Sequence, residues 1–66
     1  MSIKYPNITV KLVGEDGNAF YIIGKVTKAL RRNKVGAAEI SEFQTACMSG
    51  DYNNLLMTCM QWVNVE

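Results

Sequence analysis

Residues 51–66 read DYNNLLMTCMQWVNVE, and the way this stretch folds decides the architecture of the whole chain. Asp51 is a good helix N-cap, and Tyr52, Leu55, Leu56, Cys59 and Val63 behind it recur at the spacing of one helical face. The period then changes, because Val63, Asn64 and Val65 alternate as a short strand would. A lone strand leaves its ladder groups unpaired, so this one needs a partner. Working outward toward the N-terminus, the partner is ITVKLV, residues 8–13, where Ile8, Val10 and Leu12 alternate with Thr9, Lys11 and Val13. Ile3 and Tyr5 alternate in the opposite phase, so a strand carried back through Pro6 requires a bulge or an edge position.

The residues between the two strands read as helices. GEDGN, residues 14–18, clusters turn formers, with Asp16 or Asn18 placed to cap the helix behind them. Ala19, Ile22, Ile23, Val26, Ala29 and Leu30 gather on one arc at 100° per residue, which predicts an amphipathic helix through Asn33 that Gly36 ends in a left-handed cap. AAEISEFQTACM, residues 37–48, repeats the signature with Ile40, Phe43 and Cys47 on one stripe. Glu39 and Glu42 sit near its N-terminus, where the macrodipole favours them, and Ser49 with Gly50 breaks it. The expected fold class is α+β: a small single domain over residues 1–66, ordered β-α-α-α-β, with a short two-stranded sheet packed on three helices.

Sixty-six residues bury only about 60% of the surface that the unfolded chain exposes, and cores of this size supply roughly 3–5 kcal/mol. Small domains therefore add disulfides, a metal or a partner. The sequence contains no His, and Cys47 and Cys59 form neither a CxxC pair nor a metal-ligand cluster. They read as small buried hydrophobes in a reducing compartment. Neither a signal peptide nor a membrane-length apolar run is present, so the expected location is the cytoplasm. No cofactor, metal or small-molecule ligand is implied. Enzyme chemistry lacks a His, a nucleophile beside a base and a phosphate loop, which makes a non-enzymatic protein the expectation.

The segments DGNAF (16–20), KALRR (28–32), SGDY (49–52) and MQWVNVE (60–66), in that order, resemble a family of short uncharacterised proteins found in phage and bacterial genomes. The resemblance spans most of the chain. It implies a small folded protein of phage or prokaryotic type and carries over no activity, ligand or functional residue.

Three surfaces call for an explanation. Five of the seven Lys and Arg residues fall at Lys25, Lys28, Arg31, Arg32 and Lys34 with no acidic residue among them. Tyr21, Lys25, Lys28 and Arg32 lie on one line opposite the apolar arc, a pattern that can neutralise phosphates while a ring stacks or hydrogen-bonds. The plain alternative is the solvated face that every amphipathic helix needs. The order strand, helix, helix also fits the ribbon-helix-helix repressors, but a third helix and the acidic Glu15 and Asp16 after the strand speak against them. GEDGN before a helix faintly suggests a phosphate cradle, yet its two carboxylates would repel phosphate and the P-loop Lys and hydroxyl are missing.

The third surface is the tail itself, which has no charge between Asp51 and Glu66. Met57, Met60 and Trp62 project away from the expected core face, so the helix must be covered on two sides, by its own domain or by a second copy. The leading expectation is a small interaction module, a homodimer through the C-terminal helix and strand with Met57, Met60, Trp62 and Val65 at the interface. The alternative is a DNA- or RNA-binding accessory protein using Tyr21, Lys25, Lys28 and Arg32.

Overall fold

The computed structural model describes residues 3–12 and 17–66, in the order β1 (Tyr5–Val10), α1 (Ala19–Arg32), α2 (Ala37–Cys47), α3 (Tyr52–Trp62) and β2 (Val63–Val65). This is the expected α+β arrangement. The two strands pair in parallel, as strands joined through a long helical crossover can. Strand β1 does run through Pro6, and the register slips where the opposed phases meet: Tyr5 pairs with Val63, but Thr9 pairs with Asn64. The Pro6 carbonyl accepts a hydrogen bond from the Asn64 side-chain amide, so the irregular segment stays attached to β2. Beyond β1 the pairing continues through Glu66, whose amide donates to the Val10 carbonyl at 3.0 Å and whose carbonyl accepts from the Leu12 amide at 2.7 Å. Val13, expected to close this strand, lies outside the described residues.

Ile8, Val10 and Val63 turn to the helices and are buried with Ile22, Val26 and Leu30 of α1, Ile40 and Phe43 of α2, and Leu55 and Cys59 of α3. Cys47 joins them, and both cysteines are free thiols. The hydrogen bond to Cys59, together with burial, pushes the Cys47 thiol up, which keeps it protonated.

Helix ends follow local chemistry, with one correction. The Asn18 side chain accepts from the amides of Phe20 and Tyr21 at the start of α1, and the Asp51 side chain accepts from the Asn54 amide at the start of α3. The C-terminus of α1 is not closed by Gly36, which has φ −63° and serves as the N-cap of α2. Lys34 takes the left-handed conformation instead, at φ 62°. The Lys34 amide donates to the Arg31 carbonyl and the Val35 amide to the Leu30 carbonyl, the bond pattern of a Schellman cap. Val35 packs on the core beside Leu30, so the apolar contact that accompanies such a cap fixes the turn two residues early.

Candidate functional site

On α1 the buried face is Ile22, Ile23, Val26, Thr27 and Leu30, and the opposite face carries the expected polar line. Tyr21, Lys28 and Arg32 are exposed, and Lys25 is half-buried. All four border a groove of about 520 Å³ between α1 and β1. Thr9, Val10 and Lys11 form the strand wall, and Phe20, Gly24 and Ala29 complete the helix wall.

The strand wall is a sheet edge. Because the Val10 carbonyl and the Leu12 amide both bond to Glu66, the carbonyl and amide of Lys11 between them point away from β2. The Lys25 ammonium donates to that Lys11 carbonyl at 2.5 Å, which places the open edge of β1 on the α1 side. A lysine laid over an edge also discourages edge-to-edge association, since another strand must displace it. Lys25 is thus engaged. Lys28 and Arg32, further along the helix, have no carboxylate within salt-bridge distance among the described residues; the ion pair found among them is Lys4 with Glu39, at 3.6 Å, and neither of these borders the groove.

Phe20 and Gly24 are the residues that sequence reasoning passed over. Phe20 is 76% exposed, an unusual position for a phenylalanine in a domain short of core. A Cβ added at Gly24 would meet nothing within 4 Å among the described residues. Both follow the same helical ridge as the cations, with Phe20, Gly24, Lys28 and Arg32 spaced four apart. A signal was present in the pattern, since Phe20 falls outside the apolar arc and a glycine interrupts a helix interior without a turn to explain it. Of GEDGN, only Gly17 and Asn18 are described; the suggested phosphate cradle at Gly14 and the carboxylates Glu15 and Asp16 lie outside the described residues.

The uncharged tail is arranged differently from the expectation. Leu55, Thr58, Cys59 and Trp62 form the buried face of α3, so the helix is rotated toward Trp62 and away from Tyr52. Trp62 is only 7% exposed and sits edge-on to Phe43 at 5.3 Å, near the Tyr5 ring at 5.9 Å and under the Lys4 ammonium at 4.2 Å. It is therefore a core residue of the single chain and not an outward anchor. Tyr52 lies outside the core, and its hydroxyl donates to the Gly17 carbonyl at 2.7 Å. Met57 and Met60 do point outward, at 55% and 52% exposure, and Val65 is half-buried. Neither exposed methionine borders the groove.

A second polar cluster fixes β1 to α2. The Tyr5 hydroxyl donates to Glu39, which also pairs with Lys4. That bond pushes the Tyr5 phenol up to about 12 and holds the Glu39 carboxyl below its usual range. Among the described residues, no three His, Cys, Asp or Glu side chains come together to hold a metal, and no helix is long and apolar enough to cross a membrane. No protein-family model, curated protein or solved structure matches the chain.

Proposed function

We propose that the protein is a small non-enzymatic binding module whose β1–α1 groove holds nucleic acid. What supports this reading is one coincidence of charge and shape: Tyr21, Lys25, Lys28 and Arg32, singled out by their pattern, all border the same concavity. An ordinary solvated face would not need to be concave. Cations on the wall of a groove act together on a polyanion and release its condensed counterions, so affinity falls steeply with salt. The test is fluorescence anisotropy with labelled DNA and RNA oligonucleotides at about 50 mM salt, where the phosphate contribution is large. The double variant Lys28→Glu/Arg32→Glu is expected to bind about 100-fold more weakly, with a salt slope flatter by about 1.5 to 2. Equal binding by wild type and variant would rule the groove out.

A second reading, the homodimer through the C-terminal helix and strand, keeps one favourable observation, the outward Met57 and Met60 beside Val65. Trp62, the largest anchor it relied on, is occupied within the chain. Sedimentation across the micromolar range decides it: a concentration-dependent shift that Met57→Ser/Met60→Ser abolishes supports the dimer, and a monomer throughout counts against it. The setting we infer, a phage or bacterial cytoplasm, rests on the resemblance of the sequence motifs to short proteins of those genomes.

A further inference from the structure

We propose that the groove selects single strands, seating one unpaired base in the hollow over Gly24 against Phe20 while the adjoining phosphates lie along Lys28 and Arg32. This deepens the nucleic-acid reading and rests on it. The first argument is shape. A helix that reads duplex DNA must project into a major groove about 12 Å wide. Here the cationic face of α1 shares its groove with Thr9, Val10 and Lys11 of the strand wall, so a duplex docked on the helix would meet that wall as well. A cavity of about 520 Å³ is the size of a small-ligand pocket, suited to a base with its sugar and phosphate.

The second argument is the order of chemistries along the ridge. Phe20 offers an exposed π-face, Gly24 leaves open space one turn on, and Lys28 and Arg32 place positive charge at the next two turns. Stacking platforms beside cationic tracks are how proteins hold unpaired strands without reading sequence. A glycine in the middle of a helix carries a conformational cost relative to alanine, and here no atom of the described residues occupies the room it leaves. A ligand approaching the helix backbone at that point accounts for it. The Lys11 amide, turned toward the same groove at the open edge of β1, is a donor within the strand wall for a base edge.

The experiment compares an oligonucleotide of about twelve nucleotides, as single-stranded DNA and as RNA, with the matched DNA duplex. At about 50 mM salt, one or both single strands should bind at least about tenfold tighter than the duplex, and the better of the two identifies the natural class. Phe20→Ala should weaken single-strand binding about tenfold, and Phe20→Trp should restore it, since stacking needs a ring and not that particular one. Gly24→Ala gives the sharper readout: it should raise the melting temperature of the unliganded protein while weakening the single strand about tenfold. A merely structural glycine would give the first effect without the second. Duplex binding equal to or tighter than single-strand binding overturns this inference and leaves the broader reading standing, whereas no binding by any oligonucleotide removes both. Competition by polyglutamate as effective as that of the single strand would reduce the groove to a patch of charge and overturn the proposal as well.

Discussion

Helices α1 and α3 each bury one face and expose another, and the two exposed faces differ in kind. That of α1 carries cations and two aromatic rings beside an open strand edge, so it forms the wall of a concavity. The outward face of α3 carries Met57 and Met60 with no charge. Judged by composition alone, α3 has the greater need of a partner. The structure meets much of that need internally, by turning Trp62 under Phe43, Tyr5 and Lys4 and by ending the helix so that Val63 enters the core as a strand residue. Apolar content therefore measures how much must be covered, while the shape next to a face indicates what it can hold.

The largest expected effect separates Trp62 from the methionines beside it. Trp62→Ala should cost about 3–5 kcal/mol, comparable to the whole stability of so small a domain, and leave it largely unfolded by circular dichroism. Met57→Ala and Met60→Ala should each stay within about 0.5 kcal/mol in denaturant titrations. Losses of equal size at Trp62 and at the methionines would break the comparison, because the outward face would then be covered by something. Next come the two N-caps. Asn18→Ala and Asp51→Ala should each cost about 1 kcal/mol, but only Asn18→Ala should also weaken oligonucleotide binding, since it loosens the turn that carries Phe20 and Tyr21.

A smaller effect of opposite sign is expected at the end of α1. Lys34→Gly should stabilise the protein by about 0.5–1 kcal/mol in chemical denaturation, by relieving the left-handed backbone at φ 62°. It should leave groove affinity nearly unchanged, because Lys34 does not border the groove. The smallest effect is in the pH profile of the Tyr5–Glu39 contact. The fold favours the neutral phenol, so this stabilisation is whole below pH 10 and lost as pH rises toward about 12. The fold favours the ionised carboxylate of Glu39, so on the acid side the contribution is present above the usual glutamate range and lost as pH falls through the lowered value. Melting curves of Tyr5→Phe against wild type should converge at both extremes; a constant offset across pH would show that the hydroxyl contact is not what titrates.

The order of elements was legible because each had its own period and its own end signal: Asn18 and Asp51 cap where their side chains suggested, and the phase reversal at Pro6 marked the register slip. The parallel direction was not, since three residues of VNV accept either partner orientation until the crossover is built. The cationic line of the groove was visible as a line, but its concavity depends on β1 standing next to α1, a long-range fact that helical spacing does not contain. Trp62 was misplaced for a related reason. Its position on the wheel lies beside Leu55 and Cys59, and only the presence of Phe43 and Tyr5 from other elements makes that side the deeper one. Lys34 shows the limit of residue preference, for apolar packing of Val35 chose the turn over the conformational freedom of Gly36.

The sheet that supplies the strand wall of the groove joins residues as much as 58 positions apart. During synthesis, β1 emerges long before β2 exists, so Ile8 and Val10 must wait without their strand partner while all three helices are made. Closure is then a single late event of long reach, slow relative to helix formation. The groove has only one wall until that clasp forms, so a chain shortened before Val63 would lose its second wall together with the core contact that Val63 makes.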